Sequence, residues 1–344
     1  MSKLPKIGIT HGDINCIGYE VILKVLNEPH LMEFCTPIVY GSSKVAGYYK
    51  KNLGLESLMF TNIRSAAEAG KHLNLVNCCS DDLKVDMGKP SEEAGLAAYA
   101  ALKTATSELQ EGQIDAVVTA PINKATIQAA KDFNFPGHTE YFGQVDGHKP
   151  LMILLNDNVR VALVTNHLPV SKIAESITNQ LIIDKLNILD YSLRRDFGIL
   201  RPRIAVLALN PHAGDNGVCG TEETDIIRPA VAECSNKGIC CVGPLPADGF
   251  FGSGNFSKYD AILAMYHDQG LAPFKALFMD EGVNFTAGLD MVRTSPAHGT
   301  AYDIVGKNCA NETSMRHALF TAIDILRNRA AYDKMHANPL KTME

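Results

Sequence analysis

The chain has 344 residues, 46% of them hydrophobic and 20% charged, with 32 Lys and Arg against 38 Asp and Glu for a net charge of -6. That length exceeds what one hydrophobic core organises, so two domains, or one large α/β unit with a lobe, are expected. The composition is too apolar for disorder, and the acidic balance excludes a broad basic face for nucleic acid or an anionic membrane.

In chain order, the start Met1-Ser2-Lys3-Leu4-Pro5-Lys6 leads into an apolar segment at 6–10 instead of a signal peptide's apolar stretch. No apolar run approaches the roughly 20 residues of a spanning helix, so a cytoplasmic protein is expected. Short β-branched runs at 6–10, 114–119, 159–165, 204–209 and 261–265 read as buried strands. Between them lie helical patterns. The stretch 91–109, after Pro90, is rich in Ala, Glu and Leu; Ile182, Leu186, Leu189 and Leu193 form an apolar stripe, with Arg194 and Arg195 near its end and Gly198 beyond. Strands alternating with helices predict an α/β fold with a largely parallel sheet covered on both faces, and ligands at the carboxyl ends of its strands.

Nine cysteines lack any C-x-x-C spacing, and the pairs Cys78-Cys79 and Cys240-Cys241 suit neither a zinc ribbon nor a disulfide framework. They read as buried, reduced thiols. No internal repeat stands out. Neither a G-x-G-x-x-G after a strand nor a G-x-x-x-x-G-K-[ST] occurs, so a nucleotide would bind by another arrangement.

Three histidines share one context. His167, His212 and His267 each follow a predicted strand, in Asn166-His167-Leu168-Pro169, Asn210-Pro211-His212-Ala213-Gly214 and Tyr266-His267-Asp268-Gln269-Gly270. One such histidine is ordinarily a loop residue bonded to backbone. Three at the strand ends of one sheet are equally a donor set for a borderline divalent cation with positions left for substrate oxygens. His138 and Thr139 follow Gly137, which allows close approach of a ligand, although Thr139 as a helix N-cap reads as well. Lys275, Asn284 and Arg293, with Thr294 and Ser295, supply donors a phosphate or carboxylate needs; scattered over this interval, they read by spacing alone first as ordinary surface groups.

These motifs, with Thr119-Ala120-Pro121-Ile122-Asn123-Lys124, Gly243-Pro244-Leu245-Pro246-Ala247-Asp248, Gly282-Val283-Asn284 and His298-Gly299-Thr300, resemble the 4-hydroxythreonine-4-phosphate dehydrogenase family of vitamin B6 biosynthesis. The resemblance runs from Gly8 to about Gly306. It implies an isocitrate/isopropylmalate-dehydrogenase-like fold of two α/β domains, with residues 1–127 and 276–344 in the first, 128–275 in the second, and the active site in the cleft between them. It further implies a cytoplasmic homodimer with an active site shared across the interface, NAD or NADP, and a divalent metal (zinc, cobalt or magnesium). By the same resemblance His167, His212 and His267 are metal ligands, one of them from the partner. His138, Thr139, Lys275, Asn284 and Arg293 then bind substrate, Lys275 is a candidate proton carrier, and Asp248 orients a ligand amine or a histidine. No residue is assigned to the nicotinamide cofactor.

The implied reaction is oxidation of 4-phosphooxy-L-threonine at its secondary alcohol and loss of CO2, giving 3-amino-2-oxopropyl phosphate. A paralogous enzyme acting on threonate or erythronate 4-phosphate is the close alternative. A phosphate acyltransferase on a related fold and a non-enzymatic metal or phosphate sensor are more distant ones. The chain departs from the family at Ile14, Asn15, Cys16 and Tyr19, where two prolines and a glycine are usual, at Ala297, where Asp is common, and at 278–281. A changed loop conformation is expected at the first of these.

Overall fold

The computed structural model describes residues 4–80 and 82–338. Among them are strands β1 (Lys6–Thr10), β2 (Thr36–Gly41), β3 (Thr61–Ile63), β4 (Asn74–Asn77), β5 (Ala116–Thr119), β6 (Leu151–Leu155), β7 (Arg160–Leu163), β8 (Ile204–Leu207), β9 (Cys241–Leu245), β10 (Ala261–Ala264), β11 (Val283–Ala287) and β12 (Arg293–Pro296). All five predicted strands are present, the first with its predicted bounds and the other four shorter by one to three residues. Contacts divide the chain into two α/β units. The first runs to Gly147 and includes Asp280–Asn284 and Asp290–Leu326; the second comprises His148–Met279, Phe285–Leu289 and the chain from Arg327.

The first unit holds strands in the order β3-β4-β2-β1-β5-β12, and its neighbouring strands pair in parallel. β1, β2 and β5 are almost wholly buried, which is why they read as unbroken apolar runs instead of alternating ones. The helix Glu92–Gln110 covers them. Ser91 caps it by accepting a bond from the Ala94 amide at 3.2 Å, and Glu92 and Glu93 sit in its first turn, where the helix dipole favours acids. Its small buried face lets another backbone approach: a Cβ on Gly95 would lie 2.1 Å from the Thr126 carbonyl oxygen, so any larger residue there pushes the turn away.

The sequence-based cut near 127 would assign Phe133, Phe135, Tyr141 and Phe142 to the second half. In the structure Phe133 packs edge-on against Tyr99 of that helix and the other rings stack in series behind it, so the contact-defined division comes at Gly147.

The second unit orders its strands β6-β7-β10-β8-β9. Only the β6–β7 pair runs antiparallel. The helix Asn179–Arg195 buries Ile182, Leu186, Leu189 and Leu193 completely, as the predicted stripe requires. Each contributes about 1.5–3 kcal/mol relative to an exposed position. Thr178 caps the helix through the Leu181 amide at 3.2 Å. The end of the helix Thr313–His336 is fastened here by a buried ion pair, Arg329 Nε to Asp196 Oδ1 at 2.6 Å. Among the described residues no helix is long and apolar enough to cross a membrane. The cysteines correct one expectation. All nine are free, but Cys78, Cys79 and Cys219 are half-buried and Cys240 and Cys309 exposed.

Candidate active site

In the second unit β7, β10 and β8 are parallel neighbours, so their carboxyl ends share one edge, and His167, His267 and His212 follow those ends. Side chains outside the predicted set tie the three loops together. Thr165 Oγ1 donates to the Met265 carbonyl at 2.8 Å, joining the ends of β7 and β10. Gln269 Oε1 accepts from the Met265 amide at 2.7 Å while its Nε2 donates to the Ala208 carbonyl at 2.6 Å, joining β10 to β8. The buried carboxylate of Glu223 accepts from the Leu209 and Asn210 amides at 2.8 and 2.7 Å and fixes the loop entering His212.

The His167 and His267 rings lie 5.9 Å apart, centroid to centroid, tilted by 40°. They line a cavity of about 480 Å³ with Asn166, Leu209, Asn210 and Tyr266. His267 Nδ1 is 2.6 Å from Asp268 Oδ1, which orients the ring and directs Nε2 away from that contact, the usual arrangement behind a metal-ligating imidazole. Asn166 Oδ1 is buried without a hydrogen-bond partner. His212 instead lines an adjoining cavity of about 510 Å³ with Asp248, Asn210, Tyr266 and Gln269. Its backbone is left-handed, φ 53°, as are the four residues after it. Among the described residues no three His, Cys, Asp or Glu side chains come together as a metal site. Two of the three predicted imidazoles meet within one chain, and the third does not join them. Lys275 is half-buried on the helix His267–Phe278, two turns beyond His267.

The first unit gathers the remaining candidates. Arg293 is 2% exposed and donates through Nε and Nη2 to Thr119 Oγ1, at 3.1 and 2.7 Å. Its guanidinium lies 6.0 Å from the Phe142 ring centroid. Burial pulls it down to about 9 against the opposing pull of Glu140, so it stays cationic at neutral pH. Burial, then the positive charges of Arg293 and Lys124, hold the His138 imidazole well below its ordinary value. His138 Nε2 and Asn284 Oδ1 are both buried with no hydrogen-bond partner. Buried polar atoms are rarely left unsatisfied, and each of these is a candidate contact for a ligand. Thr139 is buried but is not an N-cap: the helix His138–Asp146 begins one residue earlier, with Gly137 in the cap position and no side chain on its first amides. Uncapped first-turn amides favour an anion.

The altered N-terminal loop is built into the first unit's interior. Gly12 has φ 71°, and a Cβ there would lie 2.3 Å from the Pro121 carbonyl oxygen. Asn15, one of the departures, donates to the Lys89 carbonyl and accepts from the Asp86 amide, both at 2.8 Å. Cys16 Sγ accepts from the Gly18 amide at 3.2 Å. Asp13 accepts from the Tyr302 hydroxyl at 2.7 Å; burial raises its pKa, opposed by that bond.

Parallel strands ending in two paired imidazoles, and a buried arginine whose charge reaches a histidine with an unsatisfied ring nitrogen, are the arrangement of an α/β enzyme. Comparison with known proteins gives the family. Residues 33–322 match the family described as pyridoxal phosphate biosynthetic protein PdxA. A 4-hydroxythreonine-4-phosphate dehydrogenase of Bacteroides thetaiotaomicron is 57% identical over 98% of this chain and 93% of its own length. A relative from Symbiobacterium thermophilum, 36% identical over 93% of this chain and 96% of its own length, carries the provisional name D-threonate 4-phosphate dehydrogenase. The crystal structure of the Klebsiella pneumoniae 4-hydroxythreonine-4-phosphate dehydrogenase superposes with a TM-score of 0.80 at 35% identity, covering 94% of this chain and 98% of that one. The chain belongs to the 4-hydroxythreonine-4-phosphate dehydrogenase family, oxidoreductases of pyridoxal phosphate biosynthesis.

Proposed function

We propose that this chain oxidises 4-phosphooxy-L-threonine with NAD or NADP and releases CO2, forming 3-amino-2-oxopropyl phosphate. The observation that carries the reading is the near full-length identity of 57% to a relative of that name, in a chain that keeps every expected donor. Arg293, His138, Thr139 and Asn284 bind the substrate's anionic groups, and Lys275 adds a further hydrogen-bond donor. Neutral His138 offers its unsatisfied Nε2 to a phosphate or carboxylate oxygen without a countercharge. Binding energy from the non-reacting phosphate then holds the alcohol carbon for hydride transfer to the nicotinamide. Lys275 takes the hydroxyl proton and returns one to the carbon that loses CO2, and Asp248 orients the substrate amine.

His167 and His267 suit a divalent cation: two imidazoles face one cavity, and one of them is braced by a carboxylate. Since His212 does not join them within the chain, His212 of a second copy is our third ligand, which makes the active form a homodimer. Such a cation, zinc or cobalt by ligand softness and magnesium with added waters, would withdraw electrons from the substrate hydroxyl and then from the ketone oxygen. The nine free thiols fit a reducing, cytoplasmic setting.

NADH formation with 4-phosphooxy-L-threonine, threonate 4-phosphate and erythronate 4-phosphate tests the substrate. The aminated substrate should give the highest kcat/KM; a preference of tenfold or more for threonate 4-phosphate would move the chain to the activity named for the Symbiobacterium relative, and one for erythronate 4-phosphate would equally overturn the reading.

A further inference from the structure

A second cluster of reactive side chains lies in the first unit and uses none of the residues assigned to the substrate or the metal. His11 follows β1, and Cys78 and Cys79 follow β4, with β2 between them in the sheet. His11 crosses the end of β2 because Gly41 stands there: a Cβ at 41 would meet the His11 ring at 2.6 Å. His11 is fully buried and stacks on Tyr19 with ring centroids 5.3 Å apart, and Tyr19 stacks on Tyr49 at 5.5 Å. The imidazole therefore has one position, and in it Nε2 lies 3.5 Å from Cys79 Sγ. His11 Nδ1 is buried without a partner. The neighbouring Cys78 thiol donates to the Gly41 carbonyl at 3.7 Å, and both cysteines are half-buried, not sealed in the core.

We propose that Cys79 is a nucleophilic thiol, with His11 as its proton acceptor, at which hydrogen peroxide installs a sulfenic acid. His11 Nε2 takes the thiol proton. Cys79 Sγ then attacks one peroxide oxygen, and the S–O bond forms as the O–O bond breaks. Sulfur loses two electrons, peroxide gains them, and the departing hydroxide leaves as water with the proton from His11. The neighbouring thiol is not a ready trap. Adjacent Cα atoms stand about 3.8 Å apart, below the about 4.4 Å at which disulfides usually begin, so the sulfenic acid persists until an external thiol reduces it.

The charge state agrees with the geometry. Adjacent Cys78, followed by the bond and charge of His11, holds the Cys79 thiol below its ordinary value against the cost of burial. Cys78 is pushed far upward by the same contact. The groups facing this sulfur are His11, Cys78 and Tyr19, with Asp13 beside His11; the Ala97 carbonyl at 3.6 Å favours the thiol form. A low value does not by itself make a thiolate fast, since nucleophilicity falls as basicity falls. The distinguishing property is the pH profile.

The test uses reduced full-length protein given brief peroxide pulses between pH 6 and 8, then dimedone at one fixed pH, with adducts counted by mass spectrometry. Exposed Cys240 and Cys309 serve as internal comparisons. Cys79 should change by less than about threefold across the range, while a thiol near 8.5 loses close to a hundredfold in thiolate. Cys79→Ser should remove the adduct from its peptide, and His11→Gln should restore a steep profile at Cys79. Because His11 is buried, the wild-type profile decides if that variant does not fold. A Cys79 profile as steep as those of Cys240 and Cys309, or adducts at those two alone, would overturn the proposal.

Discussion

Arg293 and Thr119 sit on neighbouring parallel strands, and two donors of the arginine converge on the single threonine hydroxyl. The hydroxyl oxygen has two lone pairs, and both face the guanidinium. This fixes the plane of a buried cation before any substrate arrives, so little side-chain freedom remains to be lost on binding.

Thr119→Val keeps the shape and removes that acceptor. Bonds to a charged group contribute about 1.5–3 kcal/mol, so denaturant unfolding should show a loss of that order. KM for the phosphorylated substrate should rise more than kcat falls. An unchanged KM would separate Thr119 from substrate positioning.

His138 makes stability depend on pH. Burial, with Arg293 and Lys124 behind it, keeps the folded imidazole neutral where the unfolded chain takes up a proton. Its share of stability is therefore complete above about pH 6.5 and is lost as pH falls from there toward the lowered folded value. Stability curves of the wild type and His138→Gln should converge below pH 6, the wild type having the steeper slope, by at most about 1.4 kcal/mol per pH unit for one proton. Parallel curves would contradict the assignment.

Gln269 acts through other residues. Gln269→Leu would leave the Met265 amide and Ala208 carbonyl without their partner, at about 1 kcal/mol for each bond, and loosen the spacing of the strand ends that carry His267 and His212. Divalent-metal affinity, read by titration calorimetry, should fall about tenfold with the circular dichroism spectrum unchanged. Gln269→Glu keeps only the acceptor and should not rescue it.

Asp268→Asn probes the imidazole itself. Loss of the carboxylate on His267 Nδ1 should lower metal affinity by about tenfold or somewhat more. An unchanged affinity would mean that the 2.6 Å contact has no part in ligation.

Much of this was legible in the sequence where one residue type serves one purpose. Buried parallel strands are continuous apolar runs, and the stripe Ile182, Leu186, Leu189, Leu193 gave a helix from its spacing. The histidines could be placed at strand ends because the strands themselves could be read. What stayed hidden depends on partners distant in the chain. Gln269, Glu223 and Thr165 are ordinary polar residues until folding puts backbone groups beside them. Cys79 and His11 are 68 positions apart, and no local pattern joins them. The division at Gly147 follows from an aromatic cluster whose members span Tyr99 to Phe142, which neither composition nor spacing marks. The N-terminal loop could be read only as changed in conformation. Its substituted residues are buried, and Asn15 and Cys16 are hydrogen-bonded within the first unit, which only the fold could show.

In the proposed function a cation held by His167 and His267 and completed by a third imidazole would activate a phosphorylated amino alcohol. NADH formation from 4-phosphooxy-L-threonine, followed through chelation and then stepwise return of zinc, cobalt or magnesium, addresses it directly. Activity should vanish with the metal and return with about one equivalent per chain, and His212→Ala should neither bind that equivalent tightly nor recover. Full turnover in chelated protein, or recovery in His212→Ala equal to wild type, would contradict it.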